Sequence, residues 1–394
     1  MLRKLAGFDV VSFDGSKVLF NAYSQTIGAG GTMPIGRDGY GYALGMTNTG
    51  FGEANWSTTF DEQATWGFHL DWRQQSNTSV TPAGIIWYRI YNSARPGQIM
   101  VSLRTRSDGK MDVLDYTYSV ITTTTVGLPP NEWHTIEFQC SFADLGFELR
   151  FDGAPVATGL IAPITGYPDT MNLRMQYLGS DVFEIDNYVI WDGQPNDGYS
   201  DFIGRVRIDS LRTQSDDNDG WLPKTGTRRW YQVREDDTEI FGHTQGPDGD
   251  ATYIEPPGSG SGDADQLMGV EPSPCYGKVM AVSVYGTCRP AVGDQIISFL
   301  FQGASSVHAL DVGHLVTPVG NPFGDPWPDY LSYQSIAPVD PDTGATWIDA
   351  AITNGSWGVR ALATANVYAT QVWIEKLTSL TPQPYTCGGG NYVY

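Results

Sequence analysis

The sequence predicts an all-β chain built as two tandem antiparallel β-sandwiches, and three observations carry that prediction. Apolar residues recur with period two in short runs, as strands with one buried face require. Those runs are punctuated by clusters of Gly, Asn, Asp and Pro, the residues that tight turns need, and the chain holds 46 Gly and 24 Pro. Aromatic residues make up 12% while charged residues are only 17%, so bulky rings are at hand to fill the space between sheets. Helical periodicity is almost absent. At 394 residues the chain is long enough for two domains, and its 41% apolar content excludes global disorder.

The first strand-like runs are KVLFNAY (17–23), TWGFHLDW (65–72) and AGIIWYRIYN (83–92). In QIMVSLRTRSDGKMDVLDY (98–116), Asp108-Gly109 sits between two alternating runs, a strong hairpin signal. EWHTIEFQCSF (132–142) puts Ile136, Phe138 and Cys140 on one face, and Thr135, Glu137 and Gln139 on the other. GFELRFDGAPVATG (146–159) alternates Phe147, Leu149 and Phe151 with Glu148, Arg150 and Asp152. Half-buried antiparallel strands read this way. MNLRMQYLG (171–179) and VFEIDNYVIWDG (182–193) close the first half.

Lys and Arg number 23 against 44 Asp and Glu, a formal net charge of −21. That field repels phosphate backbones and anionic lipid, so neither a nucleic-acid partner nor membrane insertion is expected. The acidity has two readings, solubility and cation binding. No 18-residue apolar run occurs. The opening MLRKLAGFDVV lacks the apolar core of a signal peptide, so synthesis in the cytoplasm is expected. Of the four cysteines, Cys275 and Cys288 are a candidate disulfide across a short hairpin, provided their Cα atoms approach within about 7 Å. Cys140 reads as a buried free thiol, and Cys387 as a candidate for pairing between chains.

The combination EWHTIEFQC, FELRFDGAPVATG and FEIDNYVIWDG resembles the laminin-G-like, concanavalin-A-like jelly-roll family. The resemblance rests on Trp133 ahead of a strand, on Asp152-Gly153 with the return-strand Val156, and on Ile185-Asp186 with Tyr188 and Ile190. It implies a concanavalin-A-like sandwich over residues 1–196; no cofactor is expected, a structural Ca²⁺ being allowed there by fold analogy alone, with no ligands fixed. Downstream, DFIGRVRIDSLRT leading to Trp221, and DPDTGATWIDAAITNGSWGVRA (340–361), are similar to segments of tailed-bacteriophage virion proteins of the minor-tail or appendage kind. They imply a second β-sandwich over residues 197–380, also of jelly-roll type, with PPGSGSGD (256–263) as an internal loop. Residues 381–394 form a Pro/Gly-rich C-terminal tail. No functional residue is carried over, because these motifs describe a fold more than a site.

Glu184 and Asp186 are the candidate catalytic pair, since concanavalin-A-like glycosidases carry Glu-x-Asp-x-x-Glu on one strand. Here Val189 stands where the second Glu is needed. A retaining mechanism needs two carboxyls about 5–5.5 Å apart, so no catalytic residue is assigned. His308 and His314 are too far apart to share a metal, and GSGSG (258–262) precedes no helix. Asp216, Asp217 and Asp219 offer hard oxygens for Ca²⁺ but lack the bidentate Glu of an EF-hand, and a solvated turn is the preferred reading. Trp56, Trp66, Trp72 and Trp87, with Tyr88 and Tyr91, are either glycan-binding or interface aromatics, or an aromatic core.

The expectation is therefore a non-enzymatic virion structural protein, a tail-, neck- or head-attached component in multiple copies. Its partners would be other phage virion proteins, further copies of itself in a symmetric homo-oligomer, and a host cell-surface glycan. The virion would be its location. A carbohydrate-binding lectin module and a glycan hydrolase or depolymerase are the alternatives.

Overall fold

The computed structural model describes residues 2–6, 13–14, 17–18, 36–37, 43–47, 53–59, 62–75, 85–92, 99–176, 182–192, 201–218, 220–224, 227–228, 233, 253–257, 264–273, 277–290, 293–316, 331–361 and 367–380. The chain is nearly all β, its strand registers among the described residues are antiparallel, and it divides into two compact units between Val206 and Arg207. The seam expected at 196/197 thus lies ten residues later, because residues 203 and 204 are hydrogen-bonded back onto the first unit.

The first sheet of the first unit runs β1 (Leu2–Ala6), β15 (Val182–Asp192), β6 (Thr65–Gln74), β11 (His134–Ser141), β12 (Gly146–Phe151), β13 (Ala154–Leu160), with β4 (Leu44–Thr47) also on β15. The second sheet runs β10 (Val120–Thr123), β9 (Met111–Leu114), β8 (Ile99–Thr105), β7 (Ile85–Tyr91), β14 (Thr170–Gln176), β5 (Glu53–Thr59). Two short strands, β2 (Phe13–Asp14) and β3 (Lys17–Val18), form a separate hairpin. The opening strand pairs with the closing one, Lys4 opposite Ile190.

Local chemistry explains the turns. Asp152 and Gly153 have φ of 50° and 81°, the two positive values that a two-residue type I′ hairpin between β12 and β13 needs. At the Asp108-Gly109 hairpin, Gly109 has φ of 75° and the Arg106 N–H donates to Lys110 O at 2.9 Å. The predicted alternation holds: Phe147, Leu149 and Phe151 are buried while Glu148 and Arg150 between them are partly exposed.

Between the sheets lies an aromatic core, and it absorbs the tryptophans offered as surface candidates. Trp66, Trp72 and Trp87 are fully buried. Trp66 and Trp72 share the parity of Phe68, whose ring centroid is 4.2 Å from Tyr88 of the opposing sheet. Alternation assigns Trp87 to the face opposite Tyr88, but the register shifts between Ile86 and Tyr88. That bulge turns both rings inward, and Trp87 packs 4.7 Å from Trp72. Trp56 lies in β5, its side chain outside the described residues.

The second unit is one 11-stranded sheet whose two ladders, joined edge to edge, pack on one core. One ladder contains β24 (Leu331–Ala337), β20 (Lys278–Pro290), β26 (Val367–Ser379), β18 (Ile254–Glu255) and β17 (Leu222–Pro223). The other contains β16 (Val206–Asp216), β19 (Ala264–Val270), β25 (Ser356–Ala361) and β21 (Gln295–Gln302), which pairs with both β22 (Val307–Ala309) and β23 (His314–Val316). Val282, Val284, Val372 and Ile374 of the first ladder share a cluster with Phe299, Phe301, Trp357 and Val359 of the second. A six-residue helix, α1 (Asp349–Asn354), breaks the β pattern, and the buried Lys376 donates to its Asp349 at 2.9 Å.

Cys288 is a buried free thiol, so the proposed Cys275–Cys288 bridge is not made. Its strand position explains this. Cys288 is in the core cluster of β20, and Cys275 lies outside the described residues. Cys140 is likewise buried and free. The end of the 256–263 loop and the 381–394 tail also lie outside the described residues.

Candidate functional site

The outer face of the first sheet carries the Glu184/Asp186 candidate. Phe68 and Leu70 of β6 point into the core, so His69, Asp71 and Arg73 point out, joined by Thr135 and Glu137 of β11 and by Glu184 and Asp186 of β15. This face is nevertheless closed to solvent: Asp71 is 0% exposed, Glu184 2% and Asp186 4%. Asp71 takes hydrogen bonds from Arg37 Nη1, Thr135 Oγ1 (2.9 Å) and Asn187 Nδ2 (2.8 Å). Asn187 reaches it from a bulge where its φ is 49°. Asp186 accepts the backbone N–H groups of Arg37 and Asn187, each at 2.8 Å. Glu184 accepts from Arg73 Nε, and from Gln75 Nε2 at 3.3 Å. The two sequence candidates do share a face, but as occupied acceptors in a buried network that ties Arg37 to the sheet.

In the second unit the structure assembles a Ser, His and Asp set that spacing did not reveal. His314 Nε2 lies 3.0 Å from Ser335 Oγ and 3.2 Å from Asp311 Oδ2, and Ser335 Oγ itself donates to Asp311. A nucleophile relay needs hydroxyl and carboxylate on opposite ring nitrogens, and here both meet Nε2. His308 repeats the arrangement, with Ser306 Oγ at 2.8 Å and Asp342 Oδ1 at 3.1 Å from its Nε2. The Ser305 hydroxyl, and after it His308, hold the Asp342 carboxyl at about 2. The two histidines occupy separate strands, each with its own aspartate.

The acidic turn behaves as a turn in its described part. The Asn218 side chain accepts the Leu267 N–H at 2.9 Å, and Asp217 accepts from Ser215 at 3.3 Å. Asp216 ends β16, Asp219 lies outside the described residues, and no metal-competent group of three ligands occurs among the described residues.

The outer face of the second sheet is different, because there a charged group lacks a partner among the described residues. Tyr88 and Ile90 point into the core, so Arg89 points outward, with Ser102 of β8 and Asn172 of β14 directly beside it. Among the described residues the Arg89 guanidinium has no hydrogen-bond acceptor and no carboxylate, and its Nε is shut off from water. Ser102 Oγ is also buried without a partner there. The Tyr118 ring stands 5.9 Å from the Arg89 guanidinium, set by a turn in which Tyr118 has φ of 62° and Asp115 Oδ1 accepts the N–H groups of Thr117 and Ser119. Burial lowers the Arg89 pKa, partly offset by Tyr118 and Tyr91. A buried donor left unmade costs about 1–3 kcal/mol. Nearby Arg104 differs, since Asp112 accepts from its Nε at 3.0 Å and its Nη2 at 2.5 Å. Sequence reasoning missed Arg89 because only the paired strands show which charges find partners.

No protein-family model matches the sequence, and no curated protein matches it. Similar solved structures include the carbohydrate recognition domain of Emp47p, at 14% identity and a TM-score of 0.33, covering 48% of this chain and 98% of that one. The binding domain of botulinum neurotoxin DC, solved in complex with SialylT, is 9% identical with a TM-score of 0.33, covering 85% of this chain and 93% of that one. A sialidase is 14% identical with a TM-score of 0.32, covering 46% of this chain, and the chain spans only 19% of its length. All three TM-scores are below 0.5, and no residue role is transferred from these proteins.

Proposed function

We propose that this chain is a non-enzymatic attachment protein whose first unit binds a glycan on the outer face of its second sheet. One observation carries the reading: the partly exposed Arg89 lies on that face without a protein acceptor among the described residues, next to the exposed Tyr118 ring. Binding sites combine an aromatic surface with a few convergent polar groups, and this face supplies both. The non-enzymatic part is supported by Glu184 and Asp186, which are buried and already hydrogen-bonded. The setting we propose is a multicopy virion appendage, on the strength of the resemblance of residues 201–221 and 340–361 to tailed-phage virion proteins. The second unit would then dock the first to a particle.

A glycan array probed with the full chain tests the binding. Retention of a defined set of glycans, lost on Tyr118→Ala, is the expected result. An array with no retained glycan overturns the reading. Shortened chains after incubation with a retained polysaccharide would overturn its non-enzymatic part.

A further inference from the structure

We propose that Arg89 anchors a carboxylate site, so that the glycan held on this face carries an isolated acidic sugar. The inference rests on the glycan-binding reading and names the chemical class of its ligand. It starts from a contrast among the arginines of one sheet. Arg104 is bonded to Asp112, and Arg106 lies 3.3 Å from Asp108 and 3.6 Å from Asp112. Arg89 has no such carboxylate among the described residues, although the chain carries 44 Asp and Glu. In so acidic a protein a partly buried guanidinium with no anion among the described residues stands out.

The geometry selects the anion. A guanidinium presents its donors in a planar fork that matches the two oxygens of a carboxylate. The Tyr118 ring beside the guanidinium gives the body of a sugar a flat surface to lie on. A net charge of −21 repels a dense polyanion. A single carboxylate escapes most of that repulsion, because charges farther away than the Debye length of about 8 Å are screened at physiological salt. The expected ligand therefore carries spaced carboxylates on an otherwise neutral glycan.

The experiment compares the full chain with its Arg89→Gln variant on an array that pairs each uronic-acid or other carboxylated glycan with its neutral counterpart. The expected result is retention of carboxylated members at least tenfold above their neutral partners, with that preference lost in Arg89→Gln. Equal retention of neutral and acidic partners, or an unchanged preference in the variant, overturns the inference and leaves the glycan-binding reading standing. If no glycan is retained, that reading fails, and an acetate titration followed at the Arg89 Nε–H resonance decides the anion site alone. A saturable shift in the millimolar range keeps the carboxylate site, and no shift overturns it. Retention of an acidic peptide with no acidic glycan would also overturn the inference.

Discussion

Oε1 of Glu137 lies 3.7 Å from Nδ1 of His69, and each side chain is buried. The same oxygen accepts the N–H groups of Ile203 and Gly204, each at 2.9 Å, which fastens the end of the first unit to its own sheet. Burial alone would raise the Glu137 carboxyl, but His69 and the amides of Gly204 and Ile203 outweigh it, and the pKa falls below its ordinary value. The group therefore adds stability above the unfolded carboxyl value of about 4.3, lost as pH falls through the lower folded value. The unfolding midpoint is expected to drop between neutral pH and about pH 3, and Glu137→Gln should flatten that drop. Glu137→Ala should cost about 3 kcal/mol by leaving two amides without an acceptor, with faster hydrogen exchange at residues 203 and 204 as the local readout.

Glu184→Gln should behave as a stability mutant. It weakens a pairing with Arg73, whose side chain is 28% exposed, so solvent screening limits the loss to about 1–2 kcal/mol. Urea denaturation measures it. A variant of unchanged stability that lost a glycan-cleaving activity would reverse the role assigned to this residue.

Cys140 and Cys288 should resist a thiol reagent until the protein unfolds. Burial pushes both thiols far up, so almost no thiolate is present at neutral pH. A colorimetric thiol assay with and without denaturant checks this, and an intact mass under oxidising conditions should show Cys288 unbridged.

Gly358→Ala should disrupt the β19–β25 pairing. A Cβ on Gly358 would lie 1.7 Å from Gln266 O, a backbone atom that cannot step aside without moving the strand. A loss of about 3 kcal/mol is expected. Gly146→Ala is the control: its Cβ meets nothing within 4 Å and should leave the thermal midpoint nearly unchanged.

Arg89→Met should stabilise the unliganded protein, by about 0.5–1 kcal/mol, because it removes a buried donor that has no acceptor among the described residues. A calorimetric scan of both proteins tests this. A lower midpoint in the variant would give Arg89 a structural role.

Period-two alternation and turn chemistry made the sheets legible in advance: the faces of β11 and β12 and the Asp152-Gly153 turn follow from residues close together in sequence. Strict alternation misplaces Trp87 because a bulge adds one residue to one strand, and nothing in IIWYRIY announces which residue the neighbouring strand will skip. The Cys275–Cys288 bridge failed for a related reason, since spacing says nothing about whether a thiol faces a core.

By itself the sequence determined the class of fold and the faces of the regular strands such as β11 and β12, because these depend on local periodicity and residue type. Only the tertiary structure decided which charges are satisfied. Glu184 and Asp186 found donors that the fold delivers from 111 and 149 residues away, while Arg89, between Asn172 and Ser102, found none among the described residues. Whether a buried charge is paired depends on which strands lie side by side, and long-range pairing sets that.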